Sequence, residues 1–148
     1  MSAAKTVKIF KKASSNGKVF LYLGNRDYIA CDGNIQPITG VVNVLEHKET
    51  LKGKRIFVQL IITFRHGRED EETMGLSFKK ELILDRVQIY PPPKKQAPEE
   101  TIEETKLQTR MIQKLGDGTY PYSLNFPPLA PNSVIICSDE EEDPTNVI

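Results

Sequence analysis

Tryptophan is absent from this sequence, and histidine and cysteine occur only twice each, as His47 and His66 and as Cys31 and Cys137. Two cysteines give neither a disulfide framework nor the paired spacing of a metal site, and they read as small apolar fillers in a reducing compartment. His47 lies in a polar turn and His66 beside a charged loop, so both read as solvated surface residues. HExxH, CxxC, GxxxxGK[ST] and GxSxG are all missing, which leaves no nucleophile–base pair, phosphate loop or zinc helix on which to build a reaction. No apolar run approaches the ~18 residues that a membrane span requires. The opening "MSAAKTVKIFKK" lacks the apolar centre of a signal peptide. The expectation is a cytoplasmic binding module, not an enzyme, with no cofactor and no metal.

What is present is charge, and it is unevenly placed. The formal net charge is zero. Residues 1–60 nevertheless hold ten Lys/Arg against four Asp/Glu, a balance of +6, while residues 61–148 hold ten against sixteen, a balance of −6. A basic front half attracts anionic partners. Nucleic acid is a poor candidate, because no set of stacking aromatics accompanies the basic patch.

Ten prolines and nine glycines punctuate short runs of alternating hydrophobicity. Residues 7–12 and 18–23 read as two strands of a hairpin around Asn16-Gly17. A short extended piece is expected at 27–30 and a strand at 38–46. Two long strands follow at 54–66 and 76–90, the first central and half or fully covered, with Ile56, Val58, Leu60 and Ile62 on one face. After the proline-rich 91–100, Thr101 and Glu104 suggest a capping box. The helix it opens carries the stripe Leu107, Met111 and Leu115 and stops at Gly116. Further short strands are expected at 119–126 and 132–137. Seven or eight strands and one helix give an all-β, immunoglobulin-like sandwich of antiparallel strands, with the short amphipathic helix on its outside. The domain runs over 1–137, and 138–148, holding the acidic run Asp139–Asp143, reads as a disordered tail.

The residues with most to say about function lie in "VKIFKKASSNGKVFLYLGNRDYI". On a strand, Lys8, Phe10 and Lys12 share one face, and Ile9 and Lys11 the other. Lysines on both faces at one strand end have two readings. They protect an open sheet edge from pairing with another chain, or they join Arg26 across the hairpin and Lys114 near the helix end in a receptor for phosphate. A phosphorylated Ser or Thr carries a charge of about −1.5 to −2 and three acceptor oxygens, so it rewards several donors at once. Asp27, beside Arg26, needs a cationic partner if it is buried.

The same blocks carry a resemblance. "VKIFKKASSNGKVFLYLGNRDYI", "PITGVV", "FRHGREDEETMGLSFKKEL" and "KLQTRMIQKLGDGTYPYSLNFPPLAPNSV" resemble, in this order, the amino-terminal domain of the arrestins. The resemblance runs from about Val7 to Val134, with Thr39 standing where the family has an aspartate. It implies an arrestin N-domain-like sandwich, incomplete because the family continues through further strands and a second domain. It also implies roles. Lys8, Lys11, Lys12, Arg26 and Lys114 would bind receptor-attached phosphates, with Gln113 replacing the first lysine of the family's helix-end pair. Asp27 would belong to a buried polar core. Ile9 and Phe10 would clamp against Leu107, Met111 and Leu115. A finger loop of His66, Gly67, Arg68, Glu69, Asp70, Glu71, Glu72, Thr73, Met74, Gly75 and Leu76 would enter the receptor. The implied partner is a phosphorylated, activated G-protein-coupled receptor of the rhodopsin type. Binding it would block the G protein and bring the chain to the plasma membrane only through the receptor. The alternative is a truncated scaffold or regulatory fragment that reaches signalling kinases through a proline segment, for which Pro128-Leu129-Ala130-Pro131 is the one PxxP frame.

Overall fold

The computed structural model describes residues 8–67, 78–93 and 105–136. Its elements are β1 (Phe10–Ala13), β2 (Val19–Leu23), β3 (Ile38–Val44), β4 (Ile56–His66), β5 (Phe78–Tyr90), α1 (Lys106–Leu115) and β6 (Thr119–Leu124). All pairing is antiparallel, in a four-stranded sheet ordered β1-β2-β3-β6 and a two-stranded sheet β4-β5. This is the expected antiparallel sandwich, with one short helix among the described residues.

The first hairpin forms for the reason the sequence suggests. Gly17 takes the left-handed backbone, φ +66°. The Asn16 carboxamide oxygen accepts from the Lys18 amide at 3.1 Å and from the Ser14 hydroxyl at 2.6 Å. The turn thereby meets its own hydrogen-bonding needs.

Alternation then sorts the four-stranded sheet into two faces. Leu21, Leu23, Val42, Val44, Tyr122 and Leu124 point inward, where they meet Ile56, Val58, Leu60, Val87 and Ile89 of the other sheet. Val41 lies on the opposite face and is nevertheless fully buried, because α1 packs over β3 and β6. Met111 is the buried member of the helix stripe.

Several expectations need correction. The helix is capped not by Thr101 and Glu104, which lie outside the described residues, but by Thr105 and Gln108 in a reciprocal capping box. Gly116 ends the helix as expected, at φ +75°. Residues 132–136 are not a strand, and the short piece at 27–30 joins neither sheet, so the described residues hold six strands. Cys31 is exposed, in a turn that it closes by backbone bonds with Asn34, so it fills no core. Cys137 and the acidic tail lie outside the described residues.

The strand β4 is not central. Among the described residues it has one partner, β5, and its end from Thr63 to His66 is exposed. Register shifts at Ile56/Phe57 and Leu60/Ile61 change the phase of β5 against it. From there the hairpin continues with Phe64, Phe78, Leu82 and Ile83 all more than half exposed.

Candidate anion-binding site

β1 is the edge of the four-stranded sheet, and its register sets where each cation stands. Phe10 opposes Leu23, Lys11 opposes Tyr22 and Lys12 opposes Leu21. Cross-strand partners share a face, so Lys11 lies over aromatic rings on the outer face. Its Nζ is 4.3 Å from the Phe20 centroid and 5.7 Å from that of Tyr22. Phe10 collects two cations, with Lys8 Nζ 5.4 Å and the Arg26 guanidinium carbon 5.3 Å from its ring centroid. The hairpin thus brings Arg26 back to the start of β1, although 16 positions separate it from Phe10.

Such contacts are each worth about 0.5–1 kcal/mol at an exposed site, and they differ from an ion pair in one respect. A ring holds a cation in place without neutralising it. None of Lys8, Lys11, Lys12, Arg26 or Lys114 forms an ion pair with another described residue. Lys18, on the same hairpin, does, bonding to Glu46 at the far end of β3. Its ammonium holds the Glu46 carboxyl below the usual carboxylate range. Among the described residues, therefore, no carboxylate claims the positive charge at β1.

The other proposed site residues are distributed around this cluster. Lys12 is exposed on the opposite side of β1 from Lys11. Lys114 is exposed in the last turn of α1, a separate element. Asp27 is exposed; solvent meets the cost that a buried carboxylate would pass to a cationic partner. In the expected clamp, Met111 is buried and Leu107 and Leu115 are half-buried, whereas Ile9 is 41% exposed and Phe10 half-buried. A Leu107 methyl carbon reaches to 2.9 Å of where a Cβ on Gly24 would stand. His66 and Gly67 are exposed at the end of β4, with the Phe64 and Phe78 rings 6.2 Å apart beside them. The remainder of the finger loop, 68–76, lies outside the described residues.

The Pro128-Leu129-Ala130-Pro131 frame is not packed. Leu129 is 94% exposed. The Ala130 amide bonds to the Pro127 carbonyl at 3.0 Å, and this makes a turn where a PxxP ligand needs an extended helix.

Two features escaped the sequence reading. The rings under the cations were legible in principle, because Lys8-x-Phe10 and Lys11 opposite Tyr22 follow from the alternation and the hairpin register. The second is Gln108, whose signal was the Thr105-x-x-Gln108 spacing of a capping box. Its side chain is 1% exposed. It accepts from the Thr105 amide at 2.9 Å and donates to the carbonyls of Gly40 at 2.8 Å and Tyr122 at 2.9 Å.

Among the described residues no helix is long and apolar enough to cross a membrane. The family model for the N-terminal domain of arrestin (or S-antigen) matches residues 19–143. The chain is 46% identical over 136 residues to an arrestin homolog of Heliothis virescens, covering 92% of this chain and 34% of that protein. It is 41% identical over 138 residues to phosrestin-1 of Drosophila melanogaster, covering 93% and 33%. It is 44% identical over 128 residues to human S-arrestin, covering 86% and 30%. The crystal structure of squid arrestin superposes with a TM-score of 0.67 at 35% identity, over 88% of this chain and 40% of that one. The chain spans about a third of the length of these curated relatives.

Proposed function

This chain belongs to the arrestin family, and we propose that it binds phosphorylated, activated G-protein-coupled receptors through the basic end of β1. Lys11 and Lys12 act as the principal phosphate ligands, with Lys8 and Arg26 beside them and Lys114 contributed from α1. The observation that carries this reading is the pair of cations on Phe10 together with Lys11 on Phe20. These charges are ordered by rings, and no carboxylate among the described residues pairs with them. A phosphate group offers more charge and more acceptor oxygens than any single side chain, so it competes well for such a cluster. On this reading the role is regulatory, not catalytic. A bound receptor is prevented from engaging its G protein, and the chain reaches the plasma membrane only by way of the receptor. The test is binding to a multiply phosphorylated receptor-tail peptide beside the unphosphorylated peptide, with and without Lys11→Ala/Lys12→Ala. Equal binding of the two peptides would reject the reading.

A further inference from the structure

A helix laid on a sheet by apolar contacts alone can slide and roll at little cost, because dispersion and burial carry no direction. α1 is not held that way. Its side-chain amide at Gln108 has one acceptor oxygen and two N–H donors, and all three are used. The oxygen receives the Thr105 amide, and the nitrogen donates to one carbonyl on β3 and one on β6. Gly40 and Tyr122 are cross-strand partners, so the bonds straddle a single rung of the sheet. A second attachment lies one residue earlier on the helix, where a Leu107 methyl group lies against Gly24. Gly24 follows β2 directly and stands two residues before Arg26. One attachment thus fixes α1 against β3 and β6, and the other against the segment that leads into the basic cluster. Lys114 lies six positions beyond Gln108, about 9 Å along the axis.

We propose that Gln108 and Gly24 are positioning residues for the phosphate site, holding α1 where Lys114 can share an anion with the β1 lysines. This rests on the phosphate-binding reading above. Glu at 108 would aim acceptor oxygens at two carbonyls, and an apolar residue would leave both carbonyls without their donor. A Cβ at 24 would meet none of the groups bonded to Gln108, only the Leu107 side chain, which must give way. The site therefore has two independent handles.

The test is a set of cycles using the full chain and a multiply phosphorylated receptor-tail peptide. Lys114→Ala and Lys11→Ala are each measured in the native, Gln108→Met and Gly24→Ala backgrounds, with a thermal melt of every variant. In the native background Lys114→Ala is expected to weaken binding about tenfold, the scale of one lost hydrogen bond to a charged group. In the two variant backgrounds that loss should shrink to about twofold or less, while the loss from Lys11→Ala stays the same in all three. A Lys114→Ala loss of equal factor in every folded background overturns the proposal and leaves the phosphate-binding reading standing. Failure of the native chain to bind the peptide removes that reading and this one with it. If Gln108→Met does not fold, Gly24→Ala decides the matter. If neither folds, both residues are structural only and the proposal is overturned.

Discussion

Gln108 donates its side-chain amide to the Gly40 carbonyl at 2.8 Å, across 68 positions of sequence and inside a site with almost no solvent exposure. With the companion bond to Tyr122 it joins α1 to two strands, and among the described residues no buried side-chain polar atom is unpartnered. Gln108→Leu should cost about 2–4 kcal/mol, because two buried carbonyls lose a donor together with the helix cap. Gln108→Glu should cost at least as much. Urea unfolding followed by circular dichroism measures both.

Gly40 is a second fixed point. A Cβ there would meet the Tyr22 carbonyl oxygen at 2.1 Å and the Tyr122 hydroxyl at 2.5 Å. The first of these is backbone, so no side-chain rotation relieves it. Gly40→Ala should destabilise the fold by about 3 kcal/mol or more, and Tyr122→Phe should not rescue it. Gly24→Ala meets only a Leu107 methyl group and should cost about 1 kcal/mol or less. Paired melts of the two alanine variants check the contrast.

Tyr122 gives the fold an alkaline limit. Its hydroxyl donates to the Tyr22 carbonyl at 3.2 Å, and burial pushes its pKa far above the usual tyrosine value, with Tyr28 adding a smaller push in the same direction. The folded chain therefore holds this proton more tightly than the unfolded chain does. The associated stability is complete below pH ~10 and is lost as pH rises above it, at about 1.4 kcal/mol per pH unit. Tyr122→Phe should flatten the fall in stability above pH ~10 relative to the native chain, at a cost of about 1 kcal/mol at neutral pH. Unfolding curves across pH 8–11 compare the two.

Met111 is the buried residue of the helix stripe, on the same side of the sheet as the fully buried Val41. Met111→Ala should cost about 2–4 kcal/mol as the helix loses its apolar seat. Leu115→Ala, at a half-buried position, should cost less. Denaturant midpoints for the two variants rank them.

Much of this was legible in the chain, for reasons that differ between elements. The β1–β2 hairpin was readable because Asn16-Gly17 carries its own turn chemistry, and the helix stripe because Leu107, Met111 and Leu115 repeat at helical spacing. The covering of β4 was not readable. Ile56, Val58 and Leu60 meet the other sheet, but nothing local distinguishes them from Ile62 and Phe64 farther along the same face. Which residues of a long hairpin are covered depends on where the facing sheet stops. The capping box was misplaced because Thr101/Glu104 and Thr105/Gln108 both satisfy the pattern. Tertiary bonds to Gly40 and Tyr122, invisible in sequence, accompany the second. At the basic site the cations themselves were evident, whereas their seats on Phe10, Phe20 and Tyr22 required the register. Asp27 is exposed, so the condition under which it would need a cationic partner is not met, and that exposure cannot be read from an Arg-Asp pair.

The central claim is that the cations ordered on β1 recognise phosphate, and the most direct measurement is a calorimetric titration. The native chain and Lys11→Ala/Lys12→Ala are each titrated with a multiply phosphorylated receptor-tail peptide and with its unphosphorylated counterpart, at low and at near-physiological salt. Binding is expected to require phosphorylation, to weaken as salt rises because the site is exposed, and to fall at least tenfold in the double variant, whose melt stays cooperative and shifts only by the small amount that the Lys11 contacts with Phe20 and Tyr22 contribute. Binding that ignores phosphorylation, or that survives loss of both lysines, would contradict it.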